Sequence, residues 1–336
     1  MVANWRWLAA KSGGAACGAA VKANGYGVGA RETVDRLAAA GCRDFFVATW
    51  AEAEALRPWP EQLTLSVLHG VGSDDMPSAL ASPARPVLNT PAQVQRWRGD
   101  GAGRPCDIMV ETGMNRLGLS AEEAGTAIAG GLAVETVMSH LACADEPGHP
   151  LNREQLRRFG ELRAALPAQR YSLANSAGIC LGADYAFDLT RPGLALYGGI
   201  PVPDDPDQAA AIRPVVFVEA QLLQLCAVGA GESVGYGATY VAASPRRVGI
   251  LNIGYADGYL RALGPGGRVR WKGQAFPVIG RVSMDLLAVD LTGGVGMGEG
   301  DWLQVDFHLP DLAGASGLSQ YELLTMIGRR YERIWG

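Results

Sequence analysis

Lys22 closes a short apolar run, Ala19-Ala20-Val21, and is followed at once by Ala23-Asn24-Gly25-Tyr26-Gly27-Val28-Gly29. The other lysines are Lys11 and Lys272, and arginine carries nearly all the remaining positive charge. A lysine at the exit of a buried strand, facing a Gly-rich turn, is desolvated, and burial lowers its pKa toward the nucleophilic amine. Such an amine forms Schiff bases with carbonyl compounds. The plainer reading is a lysine whose stem lies along the strand end while its ammonium reaches water. Other chemically capable residues also follow apolar runs: Arg116 just past Glu111, His140 after Val137-Met138-Ser139, Asn175-Ser176, and Arg191-Pro192-Gly193-Leu194. Singly, each has a structural explanation. A Ser-Ala-Gly turn is an ordinary helix cap, a histidine at a strand end is a satisfied structural residue, and an arginine before proline is an ion-pair partner. Hydroxyls and accessible backbone N–H groups in such turns also suit phosphate.

For these residues to act together, the fold must bring the strand ends to one place. Candidate strands end near Lys22, Thr49, His69, Asn89, Glu111, His140, Ala174 and Arg191. Helical patterns lie between them. Residues 31–40 carry Val34, Leu37 and Ala38, then Gly41 as a stop. Thr90-Pro91 predicts an N-cap with proline at the first helical position, and Ser120 with Glu123 predicts a capping box. Residues 152–166 place Leu156, Phe159, Leu162 and Leu166 on one face, ended by Pro167. Eight strand–helix repeats predict a parallel (β/α)8 TIM barrel, whose catalytic groups gather at the C-terminal strand ends. Phosphate sites in such barrels commonly use the loops after strands 7 and 8, here residues 174–177 and 191–194. If His140 and Arg191 both line the site, His140 leans on a cofactor ring while Arg191 faces its nitrogen. A doubly wound open sheet is the structural alternative, but Gly25-x-Gly27-x-Gly29 lacks the G-x-G-x-x-G spacing that it would want.

The texture changes after Tyr197. Residues 201–208, rich in proline and aspartate, are expected to form a hinge between domains. Beyond it come β-type runs at 215–225, 247–253, 268–271, 275–279, 286–291 and 302–307, separated by turn residues. One closing helix is expected, with Ser319 and Glu322 as its capping box. The expected layout is a barrel over residues 1–205 and a mostly antiparallel β domain over residues 210–336.

Bulk properties narrow the function classes. The 336 residues carry a net charge of −5 with no Lys/Arg block, which argues against nucleic acid as the main partner. No run approaches the roughly 20 apolar residues of a membrane span, and the start lacks a signal-peptide layout. Six scattered cysteines show no metal-ligand spacing, so free buried thiols in a reducing cytoplasm are expected, with no metal.

Six segments, in order along the chain, resemble the motif series of bacterial alanine racemases, fold-type III enzymes that use pyridoxal 5′-phosphate (PLP). They are Val21-Lys22-Ala23-Asn24-Gly25-Tyr26-Gly27, Thr112-Gly113-Met114-Asn115-Arg116-Leu117-Gly118, Arg191-Pro192-Gly193-Leu194-Ala195-Leu196-Tyr197-Gly198, Val234-Gly235-Tyr236-Gly237-Ala238-Thr239, Ile253-Gly254-Tyr255-Ala256-Asp257-Gly258 and Gly280-Arg281-Val282-Ser283-Met284-Asp285. The resemblance implies a cytoplasmic head-to-tail homodimer that interconverts L- and D-alanine by two bases and feeds peptidoglycan precursors. Lys22 would hold PLP as a Schiff base and act as one base; Tyr236 of the other subunit would be the opposite base. Tyr26, Ser176, Gly193 and Leu194 match the phosphate-binding positions, with Asn175 beside them. Arg191 matches the arginine paired with the pyridine nitrogen, and Arg116 the contact of the phenolate oxygen and of substrate. Tyr255 and Met284 would hold the substrate carboxylate and shape the entrance.

Three departures stand out. The carbamylated lysine of many members falls on Met109, so another group must orient Arg116. A tyrosine near the C-terminus falls on Arg329. The chain opens on a helical pattern over residues 1–8, where the family usually begins with a strand of the β domain, so that domain is expected to show an unpaired edge. Within the fold, the alternative is a serine or broad-specificity racemase, since one methylene or hydroxyl shifts specificity by only about 1–3 kcal/mol. A related PLP decarboxylase would want an acidic pyridine partner where Arg191 stands. A non-catalytic PLP carrier would leave the Tyr236, Tyr255 and Met284 motifs without purpose.

Overall fold

Short, wholly buried runs such as Asp44–Val47 and Cys106–Met109 are what strands covered on both faces require. In the computed structural model, which describes residues 1–336 except Ala102 and Pro265, these runs build the first of two compact units, Met1–Arg213; the second is Pro214–Gly336.

Seven parallel strands of the first unit follow one another in sheet and in sequence: Ala19–Ala20, Asp44–Val47, Thr64–Val67, Arg85–Leu88, Cys106–Met109, Val134–Met138 and Arg170–Ser172. A two-stranded parallel sheet, Ala16–Cys17 with Leu189–Thr190, bridges the two edges of this curled sheet. Asp188 N donates to Tyr171 O (3.0 Å) and Arg191 N to Ala174 O (2.8 Å), which seats residues 189–190 beside Arg170–Ser172. The first strand is interrupted at Gly18, a position closed to larger residues, since a Cβ there would stand 2.8 Å from Asp44 O and 2.9 Å from Phe46 Cε2.

The outer helices follow the expected signals. Ala30–Ala40 ends at Gly41 in the left-handed region, Thr90 caps Pro91–Asp100, and Ser120 with Glu123 forms a capping box on Ala121–Ala129. The opening helix is Val2–Lys11. One face differs from expectation. Pro150–Ala165 buries Asn152, Gln155, Phe159 and Leu162, while Leu156 is only half-buried. Two amides occupy places where an apolar stripe was expected, because they bond loop carbonyls beneath the helix.

The second unit is a closed antiparallel barrel in the order Val218–Val228, Arg246–Leu251, Leu287–Asp290, Gln274–Ile279, Arg268–Trp271 and Trp302–Val305. Closure removes the unpaired edge expected of this domain. The long strand Val218–Val228 pairs with Trp302–Val305 through its first half and with Arg246–Leu251 through its second, shifting register between Leu222 and Gln224. Its inside is apolar, with Leu222, Leu251, Val269, Val289 and Leu303 wholly buried. A small hairpin, Ser233–Val234 with Tyr240–Val241, lies outside the barrel. Two helices follow the last barrel strand where one was expected: Leu309–Ser316 precedes Gln320–Thr325, which carries the Ser319–Glu322 capping box. Among the described residues no helix is long and apolar enough to cross a membrane. The six cysteines are free. Cys17, Cys42 and Cys106 are buried, but Cys143, Cys180 and Cys226 are only half-buried, against expectation.

Candidate active site

The chain leaves the strand Ala19–Ala20 and turns sharply at Lys22. Ala23, Asn24, Gly25, Tyr26 and Gly27 all have positive φ, at 52°, 54°, 61°, 53° and 82°. Left-handed backbone costs an L-residue roughly 1–2 kcal/mol, so such a run needs strong local bonding. Gly25 N donates to Val21 O and Gly27 N to Ala23 O, both at 2.8 Å, and Ala30 N donates to Asn24 Oδ1 at 3.1 Å. Glu52 adds two charge-assisted bonds, accepting from Ala23 N at 2.6 Å and from Ala48 N at 2.7 Å. The turn aims Lys22 among cations. Burial lowers its pKa, Arg116 and Arg191 lower it further, and Glu52 opposes them. That favours the reactive amine over an extended surface lysine.

Tyr26 is buried and stacks on Tyr197 with ring centroids 4.7 Å apart. Gly193 packs directly against the Tyr26 ring. Ser176, wholly buried, accepts from Gly193 N at 2.9 Å and from Ala195 N at 3.2 Å through Oγ. Leu194 is buried and opens the 3₁₀ turn Leu194–Tyr197. Asn175 has the capping role that its position allowed: its Oδ1 accepts from Gly178 N at 2.8 Å.

Arg191 is buried at the mouth of the sheet and ties strand ends together. Its Nη1 donates to Ser172 Oγ and its Nη2 to Ser139 O. Burial lowers its guanidinium to about 10, against the pull of Asp107, so it stays charged at neutral pH. Burial together with Arg191, Arg116 and Lys22 lowers His140 to about 3, which keeps the ring neutral. Beneath these residues runs a polar chain. Thr112 Oγ1 and Ser139 Oγ share a hydrogen bond at 2.7 Å, and Gln155 Nε2 donates to Thr112 Oγ1 (3.1 Å) and His140 O (2.8 Å).

Arg116 is exposed on a turn organised by Glu111, whose carboxylate accepts from Gly113 N and, at 3.3 Å, from Arg116 N. Burial works against this carboxylate, but backbone N–H groups from Asn115, Gly113, Arg116 and Met114 outweigh it and hold its pKa below the usual value. Met109 is buried and apolar, so the turn is positioned through its main chain by Glu111.

In the second unit, Tyr236, Tyr255 and Met284 line one cleft of about 440 Å³ with Arg261, Arg281 and Ser283. Tyr236 is 73% exposed, Tyr255 39% and Met284 53%. Tyr255 N donates to Ser283 O and Ala256 N to Met284 O, each at 3.0 Å. Arg330 clamps this floor, bonding Asp257 through Nε and Nη2 (both 2.8 Å) and Asp285 through Nη1 (2.6 Å). Arg329 is exposed.

The sequence reading overlooked Glu52 and Gln155. Glu52 stands three residues after Thr49, an N-cap spacing that advertises it; Gln155 is a polar residue in an otherwise helical burial stripe.

The model of the alanine racemase N-terminal domain matches residues 1–201, and that of the C-terminal domain residues 215–335. The chain belongs to the alanine racemase family. An alanine racemase of Acidiphilium cryptum is 41% identical over 345 aligned positions, covering 99% of this chain and 96% of the relative. The crystal structure of a Bartonella henselae alanine racemase with covalently bound pyridoxal phosphate superposes with a TM-score of 0.90 at 36% identity, covering 99% and 96% of the two chains. The solved structure of an alanine racemase from Streptomyces coelicolor A3(2) gives 0.91 at 31% identity, covering 99% of this chain and 94% of the other. The fold of this family is a curled parallel sheet with helices followed by an antiparallel strand-rich domain, as found in this chain.

Proposed function

We propose that this chain racemises alanine, with PLP as cofactor and with Lys22 and Tyr236 as two opposed bases. The observation that carries this is the setting of Lys22. Its amine has a lowered pKa, lies near the charges of Arg116 and Arg191 and a neutral His140, and stands at the head of a turn whose Tyr26 packs on Gly193 beside Ser176.

These groups fit PLP. The amine is the aldehyde's natural partner, hydroxyls and N–H groups of Tyr26, Ser176, Gly193 and Leu194 suit its phosphate, and the neutral His140 ring suits its flat face. Lys22 would hold the cofactor covalently, Arg116 would contact its phenolate oxygen, and Arg191, which remains a donor, would leave the pyridine nitrogen unprotonated. PLP supplies an electron sink that makes the substrate Cα proton removable. With Nζ released once the substrate amine has taken its place on the cofactor, Lys22 would take that proton on one face and become an ammonium, and the Tyr236 hydroxyl would return a proton on the other face and become a phenolate. In the reverse direction the two exchange roles. Tyr255 and the Met284 backbone N–H would hold the substrate carboxylate.

The strong exposure of Tyr236 on its own unit supports its use by a second copy, in a homodimer with shared sites. We place this activity in the cytoplasm, where D-alanine would serve peptidoglycan precursors.

The purified protein should be yellow, and Lys22→Ala colourless. A wild type that stays colourless after incubation with PLP would overturn the cofactor assignment. Circular dichroism should follow loss of L-alanine signal to a racemic end point, and a panel including L-serine sets the specificity. Tyr236→Phe with undiminished rates in both directions would overturn the second base.

A further inference from the structure

We propose that Glu52 is a positioning residue for Lys22: its carboxylate fastens the residue after Lys22 to the neighbouring strand end and places a negative charge beside the amine. This rests on the reading of Lys22 as the reactive amine. Glu52 lies in the helix Trp50–Ala55, in the first turn behind its cap Thr49. Its two oxygens are divided between two chain segments. Oε1 accepts from Ala23 N at 2.6 Å and Oε2 from Ala48 N at 2.7 Å. Ala23 begins the left-handed run that aims Lys22, and Ala48 directly follows the strand Asp44–Val47. Val21 N donates to Phe46 O at 2.8 Å, so the residue before Lys22 is tied to the same neighbouring strand. Lys22 is thus gripped from both sides, and the Glu52 grip is the one made by a side chain.

The charge matters as well as the bonds. The charged and titratable groups that act on Lys22 are Arg116 and Arg191, which disfavour its ammonium, and Glu52, which favours it; His140, which Lys22 itself influences, is neutral. Glu52 is the anion among them. It therefore limits how far burial and the two arginines depress Lys22, so that Nζ can both give up and hold a proton. A glutamine in its place keeps one carbonyl acceptor, turns an N–H donor toward one of the two backbone N–H groups, and removes the charge.

The chain's small number of lysines makes the test direct. Full-length protein, freed of bound carbonyl compounds with hydroxylamine, is treated with formaldehyde and cyanoborohydride across a pH series. Methylation of Lys22, Lys11 and Lys272 is then read by peptide mass spectrometry. In wild type, Lys22 should react at lower pH than Lys11. In Glu52→Gln the acid limb of Lys22 should move to still lower pH. On that limb, its reaction relative to Lys11 should be roughly three- to tenfold faster than in wild type. The amides of Ala23 and Ala48 should lose hydrogen-exchange protection. Coincident Lys22 limbs in wild type and Glu52→Gln, or unchanged protection at both amides, would overturn the proposal. If Glu52→Gln does not fold, Glu52→Asp carries the test. It keeps the charge but is one methylene short of spanning both N–H groups, so protection should fall while the limb stays. Unchanged protection in that variant would again overturn the proposal. A parallel arm with PLP and borohydride separates the two ideas. Wild type that takes no PLP at Lys22 would end the proposed function and leave the formaldehyde comparison standing.

Discussion

Gly193 lies hard against Tyr26: a Cβ built on Gly193 would fall 2.2 Å from the Tyr26 hydroxyl oxygen and 2.8 Å from Cζ. The ring cannot swing aside cheaply, because it is buried and stacked on Tyr197. Gly193→Ala therefore forces Tyr26 out of place, an overpacking cost of about 1–3 kcal/mol. Titration with PLP should show affinity weakened by about tenfold, since each 1.4 kcal/mol is a factor of ten. Because Tyr26 transmits the damage, Gly193→Ala should add much less to a Tyr26→Ala background, which removes the whole ring, than it does alone. Fully additive losses would mean that Gly193 acts independently of Tyr26.

His140 gives a pH signature. In the folded chain it titrates at about 3, pushed down from 6.5 by burial and by Arg191, Arg116 and Lys22. Between those values the unfolded chain binds the extra proton, so His140 adds stability above about pH 6.5 that is lost progressively as pH falls toward about 3. His140→Gln should flatten the fall of melting temperature over that window in cofactor-free protein. Asp107, whose pKa burial raises, contributes with the opposite sign in acid, so the difference between variant and wild type is the useful quantity. Parallel melting curves for the two proteins would show that His140 is not held neutral.

Gln155 has no exposed surface and serves several loop groups at once. Besides Thr112 and His140 O, it accepts from Ala142 N at 2.9 Å. Gln155→Leu keeps the approximate volume but leaves His140 O and Ala142 N unpaired. Each orphaned group costs about 1–3 kcal/mol. Urea unfolding should show a loss of about 2 kcal/mol or more, the low end of two such groups. Catalytic efficiency should fall too, as His140 loses its support. A variant with unchanged stability would place solvent at those loop groups.

What could be read from the sequence depended on whether the signal was local. The barrel strands and Lys22 were legible because short apolar runs bounded by turn residues are local. So were the Thr90, Ser120 and Ser319 caps, each of which bonds within its own helix. The left-handed turn after Lys22 was only hinted at by Gly25 and Gly27. Ala23 and Tyr26 adopt positive φ against their own preference, and Ala23 is held by a bond to Glu52, 29 residues away, that no short window contains. Closure of the β domain was illegible for the same reason: it depends on a register shift between Leu222 and Gln224 that lets one strand serve two neighbours. Gln155 was passed over because helical periodicity ranks apolar residues, whereas this buried position is filled for hydrogen bonding.

Tyr236 makes the most demanding prediction. It is 73% exposed and sits at the start of the short turn Tyr236–Ala238, with Gly235 before it and Gly237 after it in positive φ. A large aromatic side chain in that position contributes little to its own unit, yet it shares a cleft with Tyr255 and Met284. If its partner is Lys22 of a second copy, each site of a twofold dimer needs one intact residue from each chain. Lys22→Ala and Tyr236→Phe should each be nearly inactive alone. Mixed in equal amounts and allowed to exchange subunits, half the dimers become heterodimers. Each heterodimer holds one site with both residues intact and one with neither. About a quarter of wild-type activity should return, the fraction that random twofold pairing gives. A mixture that exchanges subunits, as shown by a tagged copy, yet stays inactive would place Tyr236 and Lys22 in the same chain's site.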